Sequence, residues 1–403
     1  MRIFKKDEIK LLWPNYSSKL VGSILWLYPI FYVLYFREIG FSLTQIGFLA
    51  SAYLIATVLF EIPTGAIADI FGRKFSVITG EILAGIAMLL VMFSNNFYII
   101  LGLFFIRGIF RTLTSGADEA WIVDYLKFKK RKNLIHEYYT KKHSFMSLGM
   151  VLSGIIGSLL VSIYGLWIIW PVTGFTMLLS ALIISFQSEY FKARKTKIKI
   201  QLKTIFSHAH KSAGYLKNNV SLRLLLIAGL IITMAVAFTS EITWYPLLQN
   251  LGLKVEWFGY LVSASFVIEI IFPYFMKPII KALGGYKRYL VIAIGIQALL
   301  LLSVLFVKSL IWGAILYSIV MPLYLYRIAS SIMFQHLVPN KIRATLGSIS
   351  NMINSIISAV MFPIVGFLTD KFGPIVTLFI SGIILLPAIL IYTKIKDRNI
   401  PKI

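Results

Sequence analysis

The sequence predicts an all-α integral membrane protein with twelve transmembrane helices in two six-helix bundles, related by a pseudo-two-fold axis along the membrane normal. Three observations predict this class: an apolar composition, regularly repeated apolar runs, and one long polar interruption near mid-chain. Of the 403 residues, 58% are hydrophobic and 14% are charged, and the mean hydropathy is +0.83. Because so few polar residues cannot cover the surface of a water-soluble domain, this composition excludes an ordinary soluble enzyme.

The apolar runs have the length of membrane-spanning helices. A bilayer core about 30 Å thick needs roughly 20 apolar residues for each helix that crosses it. The predicted spans are 18–36, 44–66, 75–95, 97–124, 143–163, 166–187, 221–247, 256–278, 289–307, 310–335, 346–368 and 374–393. Charged residues or Gly, Pro and Asn separate them. These runs are continuously apolar, whereas the strands of a membrane barrel alternate between polar and apolar residues.

The positions of the cations predict the orientation in the membrane. The chain has 40 Lys and Arg against 16 Asp and Glu, a formal net charge of +24. If both termini are cytoplasmic, 33 cations lie in inside segments, four in outside loops and three within helices. Cytoplasmic segments of membrane proteins are enriched in Lys and Arg, so topology explains the charge without a nucleic-acid partner. We predict a multi-pass protein of the cell membrane with both termini cytoplasmic.

The longest hydrophilic stretch, 189–223, divides the spans six and six. It predicts an N-terminal bundle at 1–190, a basic cytoplasmic linker at 191–220 and a C-terminal bundle at 221–403. Apolar residues recur in the linker at helical spacing: Ile198, Leu202, Ile205 and Phe206. The linker is therefore either an amphipathic helix on the anionic inner leaflet or a solvated basic segment held there by charge.

An internal repeat supports the division into two halves. A shift of 212 residues places 40–52 over 252–264, with Gly47 over Gly259 and Ser51 over Ser263. Eight identities fall in 33 aligned positions. Parallel six-helix repeats around a central cavity are an architecture of transporters, with the substrate bound near the midplane.

The loop between the second and third spans reads Gly65-Ala-Ile-Ala-Asp69-Ile-Phe-Gly72-Arg73-Lys74. It resembles the G-x-x-x-D-R-x-G-R-R/K signature of the major facilitator superfamily, with Ile70 in place of the usual Arg. The resemblance implies a gating motif of Gly65, Asp69, Gly72, Arg73 and Lys74, which locks one state of a transporter until an ion pair breaks. Its glycines would permit a tight turn and close helix approach. The alternative is a surface turn whose cations only reflect the orientation of the chain in the membrane.

Two further segments resemble prokaryotic drug:proton antiporters of that superfamily. Leu103-Phe-Phe-Ile-Arg107 resembles the start of an L-x-x-x-R-x-x-Q-G motif, with Phe110 and Arg111 replacing the Gln and Gly. A glycine- and serine-rich stretch, 149–158, stands where the exporters carry a glycine-proline element. The resemblance implies alternating access, a small-molecule substrate and protons as the coupling ion.

Ionisable residues lie within the predicted spans, where each costs about 2.5–3.5 kcal/mol at the bilayer centre. They are Glu61, Glu81, Arg107, Arg111, Asp118, Glu119, Glu241, Glu269 and Arg327. On a helical wheel Arg107, Arg111 and Asp118 share one face, but Arg107 and Asp118 are about 16 Å apart along the axis and cannot pair directly. We predict that Glu241, Asp118 or Glu269 exchanges a proton, with Arg107 as its charge partner. The alternative is a set of static ion pairs, or of hydrated charges near the inner face.

The resemblance places the first, fourth, seventh and tenth spans around a central cavity. The predicted substrate-binding residues are Trp26, Tyr28, Tyr32, Arg111, Trp244, Arg327, Asn351 and Asn354. Aromatic side chains in a cavity bind hydrophobic or cationic ligands. The alternatives are that the aromatic residues pack or anchor at the interface, and that the asparagines form interhelical hydrogen bonds.

Three functions remain open on the sequence. The first is proton-coupled efflux of a hydrophobic or amphiphilic small molecule, the second is proton-coupled uptake of an anionic nutrient or lipid-like molecule, and the third is a membrane sensor that transports nothing. Unpaired cavity arginines would favour an anion, whereas arginines paired with Glu241, Asp118 and Glu269 would allow a cation or a neutral drug. No metalloprotease or nucleotide-loop motif occurs. We predict a monomer that is not an enzyme, with no cofactor and no metal site, and with substrate, protons and lipids as partners.

Overall fold

A computed structural model describes residues 4–190, 214–216 and 218–396. All regular secondary structure in these residues is helical, which confirms the predicted all-α class. Eleven helical stretches are long and apolar enough to cross a membrane. The last of them, Ile342–Thr393, contains a break at Gly373, where φ is +83°. Counted as two, it gives the twelve predicted spans. Most of the predicted linker, including its four apolar residues, lies outside the described residues.

The first half of the chain forms eight α-helices in the described residues. They are α1 (Glu8–Ile24), α2 (Tyr28–Glu38), α3 (Leu43–Phe71), α4 (Arg73–Val91), α5 (Phe97–Thr114), α6 (Ala117–Phe128), α7 (Ile135–Tyr164) and α8 (Ile169–Ser185). In the second half, seven α-helices lie wholly within the described residues: α9 (Val220–Phe238), α10 (Glu241–Asn250), α11 (Phe258–Ala282), α12 (Tyr286–Leu302), α13 (Leu310–Leu323), α14 (Tyr326–Leu337) and α15 (Asn340–Thr393).

Four spans are each built from two shorter helices. The breaks lie at 25–27 between α1 and α2, at 115–116 between α5 and α6, at 239–240 between α9 and α10, and at 324–325 between α13 and α14. The span predicted at 97–124 is present as Phe97–Phe128, but two helices, α5 and α6, form it. Ser115 is extended and Gly116 has a φ of +70°, a conformation that glycine adopts without steric cost. Interrupted backbone is tolerated at membrane depth only inside protein or beside a water-filled cavity.

Two helices begin well before their predicted starts. Helix α1 begins at Glu8 instead of 18, and α7 begins at Ile135 instead of 143. Glu8 is fully buried between these extensions, where it accepts hydrogen bonds from the Tyr16 hydroxyl at 2.9 Å and from Lys141 Nζ at 2.6 Å. Hydropathy detects the apolar part of a helix, so it overlooks an extension that polar contacts stabilise.

The helices group into two compact units, and each unit takes one short segment from the other half of the chain. Val255–Ser263 belongs to the first unit and Gly40–Ser51 to the second. In the first unit α1 packs on α7 and α8, and α4 packs on α5 and α8. In the second unit α9 and α12 pack along α15. The predicted bundle boundaries at 190 and 221 stay a prediction.

In the second unit, the segment Gly40–Ser51 lies against the middle of α15. Asp370 caps the start of α3 by accepting the backbone N–H groups of Leu43 at 3.0 Å and Thr44 at 2.9 Å. Ser51 donates its hydroxyl to the carbonyl of Ala359. A Cβ added at Gly47 would clash with the backbone of Phe362, so glycine is required for this close approach.

In the first unit, the segment Val255–Ser263 makes the equivalent contact with α7. Ser263 donates its hydroxyl to the carbonyl of Val151 at 2.7 Å, and Gly259 faces Gly154 backbone to backbone. The shift of 212 residues found in the sequence relates Gly47 to Gly259 and Ser51 to Ser263. The repeat therefore places equivalent residues in equivalent helix contacts.

Candidate functional site

The first unit contains a partly open cavity of about 220 Å³. Its walls come from α1, α3, α4, α5, α6, α7 and α8. One part of the lining is apolar and consists of Trp26, Phe110, Met146 and Met177. The charged part consists of Lys19, Glu81, Arg107, Arg111, Asp118 and Lys142. Tyr53, Thr114 and several serine, glycine and alanine residues form the remainder of the lining. A cavity that is lined by both charged and apolar side chains can bind an amphiphilic molecule.

Asp118 is held by two lysines. It lies 3.0 Å from Lys19 Nζ on α1 and 3.2 Å from Lys142 Nζ on α7, and Lys142 also lies 3.0 Å from Glu119. Asp118 is only 8% exposed. Its second carboxylate oxygen, Oδ1, has no hydrogen-bond partner among the described residues. Asp118 is thus an ion-paired acid, and its partners come from other helices, as the axial distance to Arg107 predicts.

Arg107 lies between two tyrosine rings. Its guanidinium carbon is 4.4 Å from the ring centroid of Tyr28 and 4.8 Å from that of Tyr53. The approach of α5 to α3 depends on Gly108, where a Cβ would clash with the backbone carbonyl of Tyr53. Arg107 is 6% exposed, and its Nε has no hydrogen-bond partner in the described part of the chain. These ring contacts stabilise the cation, while its edge donors stay available.

Arg111 and Glu81 complete the charged part of the lining. Arg111 donates to the Thr114 hydroxyl at 2.8 Å. Gly80 lets α4 approach α5, since a Cβ there would lie 2.9 Å from the carbonyl of Phe110. This contact brings Glu81 within electrostatic range of Lys19, Arg107 and Arg111. No cation described here forms a direct ion pair with Glu81, and neither arginine pairs directly with a carboxylate.

Several predicted site residues come together at this cavity. Trp26, Arg107, Arg111 and Asp118 line it. Tyr28 contacts Arg107, and Tyr32 packs on Tyr28 with their ring centroids 5.1 Å apart. Their roles in binding stay predictions.

Sequence reasoning missed Lys19 and Lys142 as site residues. Both were counted with the basic cytoplasmic segments, because the predicted spans begin next to them, at 18 and at 143. One pattern could have revealed Lys19: polar and small residues recur at i, i+3 and i+4 along α1, as Lys19, Gly22 and Ser23. Such spacing places them on one helix face, and Trp26 follows in the break after α1.

In the second unit, Glu241, Trp244 and Glu269 each lie near Tyr317. Glu241 is half-buried at the start of α10, next to the break at 239–240. It forms no ion pair with any cation that the structure describes. Glu241 and Glu269 both lie within electrostatic range of Tyr317, and Trp244 packs edge-to-face on the Tyr317 ring at 5.5 Å. Trp244 is fully buried.

The other predicted residues of the second unit contact different residues. Arg327 is exposed on α14, within electrostatic range of Tyr324. Asn354 accepts a hydrogen bond from the Thr233 hydroxyl at 3.1 Å, which joins α15 to α9, and Asn351 is exposed. The Asn354 contact is the interhelical hydrogen bond that was the alternative to substrate binding.

The predicted gating motif forms the turn between α3 and α4. Gly72 has a φ of +102°, which requires glycine. Arg73 donates to Asp124 on α6 at 2.6 Å, and the backbone N–H of Lys74 donates to Glu189 at 2.9 Å. Asp69 is half-buried. The close approach expected at Gly65 is not made here: among the described atoms, none lies within 4 Å of a Cβ added there.

Replacing Arg73 with Gln is expected to weaken the contact between α4 and α6. The Arg73–Asp124 pair is partly exposed, with side-chain exposures of 23% and 40%, so we expect a coupling energy of about 1 kcal/mol or less. A double-mutant cycle of Arg73→Gln and Asp124→Asn in thermal unfolding measures it. Lys127→Gln is the control, because Lys127 lies 3.8 Å from the same carboxylate. Equal coupling for Lys127 would contradict the prediction.

The family model of the Major Facilitator Superfamily matches residues 20–360. The chain belongs to this superfamily. A match over most of the chain confirms the resemblance that the loop at 65–74 indicated.

The curated relatives have low sequence identity to this chain. An uncharacterized MFS-type transporter of Methanocaldococcus jannaschii is 26% identical over 200 residues, which cover 50% of each chain. The multi-drug resistance efflux pump PmrA of Streptococcus pneumoniae is 24% identical over 220 residues, again 50% of each chain. The chain thus spans about half the length of these curated relatives.

Solved superfamily structures share the fold along the whole chain. A mutant of the nucleoside transporter NupG has a TM-score of 0.76 at 14% identity and covers 96% of this chain and 100% of its own. A bacterial homolog to the human lysosomal transporter Spinster has a TM-score of 0.73 at 14% identity and covers 99% of both. At this identity the likeness shows the fold alone.

Proposed function

We propose that the protein is a secondary active transporter that works by alternating access and couples the efflux of a hydrophobic or amphiphilic small molecule to protons. The observation that carries this proposal is the cavity in the first unit, whose lining combines Trp26, Phe110 and Met177 with six charged side chains. The partial likeness to the efflux pump PmrA supports the direction of transport. We further propose a monomer in the cell membrane with both termini cytoplasmic.

The proposed alternating access uses the two short exchanged segments. Backbone atoms of Phe362 lie nearest to Gly47, and the backbone carbonyl of Gly154 lies nearest to Gly259. Helices that meet through glycines can separate and return without repacking large side chains. In this proposal these contacts form and break during the cycle, and the turn at 65–74 responds at the other membrane face.

Proton-coupled uptake of an anionic or lipid-like molecule is the second candidate. It is favoured by one observation: Arg107, Arg111 and Arg327 form no direct ion pair with a carboxylate in the described residues. A substrate carboxylate or phosphate would supply the missing counter-charge. Under this candidate, substrate and proton move in the same direction.

Reconstitution into lipid vesicles with an imposed pH gradient tests the proposal. Movement of an amphiphilic probe that depends on the gradient and ceases when an ionophore collapses it supports proton-coupled transport, and its direction distinguishes efflux from uptake. A protein that binds probes but moves none in either direction would instead fit a membrane sensor.

Replacing Glu241 with Gln is expected to uncouple transport from the pH gradient. Glu241 is half-buried beside a helix break and has no ion pair in the described part of the chain, so a proton is its simplest charge partner. The measurement compares gradient-driven flux with exchange at equal pH, where Glu241→Gln should retain activity. Glu38→Gln, at the exposed end of α2, is the control. Normal gradient-driven flux in Glu241→Gln would remove this residue from the mechanism.

A further inference from the structure

We propose that Arg107 and Arg111 bind the carboxylate or phosphate group of an organic anion, whose apolar body lies against Trp26 and Phe110. This inference rests on the proposed transport function and names its substrate class. It applies to efflux and to uptake alike, because it concerns the bound molecule and not the direction of its movement.

The environment of Arg107 leaves donors for a ligand. Its two ring contacts, with Tyr28 and Tyr53, cover the guanidinium without using its N–H groups. The side chain is more than nine-tenths buried, lines the cavity and makes no hydrogen bond among the described residues. A buried donor without an acceptor is unfavourable. The planar guanidinium edge matches two oxygens of one carboxylate or phosphate.

Arg111 places a second cation beside the first. It follows Arg107 by four residues in α5, so the two side chains are neighbours one helical turn apart. Like charges in this arrangement repel each other. Its one hydrogen bond in the described residues goes to the neutral hydroxyl of Thr114. An anion that contacts both arginines would offset the repulsion and satisfy the free donors of Arg107.

The acids of the cavity do not supply this counter-charge. Asp118 is within 3.2 Å of both Lys19 and Lys142 and is already shared between them. Glu81 is near the arginines but forms no direct ion pair with any described cation. The lining has four cations and two carboxylates, so its formal charge is positive even when both acids are ionised. A cationic ligand would therefore meet an excess of like charge.

The apolar lining determines the rest of the ligand. Trp26 and Phe110 offer aromatic surface, and Met146 and Met177 offer flexible thioether side chains that adapt to different shapes. A small inorganic anion would leave this surface without a partner. The geometry therefore fits an anion with an apolar body, and not free phosphate.

Four probes with one naphthalene body test the inference. They are 2-naphthoate, 2-naphthyl phosphate, 2-naphthylmethylammonium and 2-naphthamide. Calorimetric titration of the full chain in lipid nanodiscs measures the dissociation constant of each. We expect at least one of the two anions to bind more tightly than the amide, and the ammonium to bind most weakly. Comparison of the two anions shows whether the group bound is a carboxylate or a phosphate.

Variants connect the preference to the arginines. Arg107→Gln is expected to weaken the binding of the preferred anion about tenfold or more, because it removes a charge-assisted hydrogen bond. The affinity for the amide should stay nearly unchanged, because the amide does not make that bond. Arg107→Lys keeps the charge but loses the planar fork, so it should restore part of the affinity. Arg223→Gln, an exposed arginine of α9 outside the cavity lining, is the matched control.

Three results would overturn the inference: equal or tighter binding of the ammonium, no binding of either anion, or an equal loss of anion and amide affinity in Arg107→Gln. If Arg107→Gln does not fold, the more exposed Arg111→Gln provides the same comparison. Failure of the transport proposal is distinguishable, because vesicle flux measures it separately. Anion binding without any flux would overturn transport, while flux of the amide without anion binding would overturn the substrate class.

Discussion

Replacing Asp118 with Asn is expected to destabilise the protein strongly and to abolish transport. Asp118 neutralises Lys19 and Lys142, whose side chains are 17% and 8% exposed. Removing the acid leaves one buried and one half-buried ammonium group next to each other without a full counter-charge. Loss of one member of a buried ion pair costs about 3–5 kcal/mol. Denaturant and thermal unfolding of the purified protein measure the loss.

Asp124→Asn is the matched control, because Asp124 lies six residues further along α6 and pairs with Arg73 at the partly exposed turn. We expect it to cost about 1 kcal/mol or less. The double variant Asp118→Leu with Lys142→Met should recover part of the stability, since it removes a buried charge with its partner. An Asp118→Asn protein as stable as Asp124→Asn would show that water, and not Asp118, compensates the two lysines.

Replacing Gly154 with Leu is expected to remove most transport activity while leaving the protein folded. A Cβ at this position would clash with the Gly259 carbonyl and the Ser263 hydroxyl. Overpacking of a close helix contact costs about 1–3 kcal/mol. If this contact forms in only one state of the cycle, Gly154→Leu destabilises that state and shifts the population toward the other.

Cysteine labelling measures that shift, and the chain contains no native cysteine that would interfere. Ser263→Cys, in the contact, should react slowly with a membrane-impermeant maleimide in the parent chain and faster when Gly154→Leu is added. Gly102→Leu is the matched control, because none of the described atoms lies within 4 Å of a Cβ added there. Full transport by Gly154→Leu, with Ser263→Cys still protected, would show that the close approach is not needed in the cycle.

The site was partly predictable from the sequence. Arg107, Arg111 and Asp118 were recognised because ionisable residues in an apolar run are unusual enough to be noticed singly. Their partners were not recognised. Lys19 and Lys142 lie near the ends of apolar runs, where a lysine is ordinary, and only the structure shows that Lys142 is helical and buried and that Lys19 is half-buried. The face shared by Arg107, Arg111 and Asp118 was assumed to be continuous, yet Gly116 interrupts the helix between them.

Composition and the length of the apolar runs determine by themselves that this chain crosses a membrane about twelve times, because hydrocarbon rejects charge along every run whatever its neighbours are. The repeat also indicates the glycines at 47 and 259. Only the tertiary structure decided which charges neutralise one another. Asp118 is paired with two lysines and Arg107 lies between two tyrosines because glycines such as Gly80 and Gly108 set the distances between helices. Electrostatic pairing depends on those distances, and no pattern within a single helix encodes them.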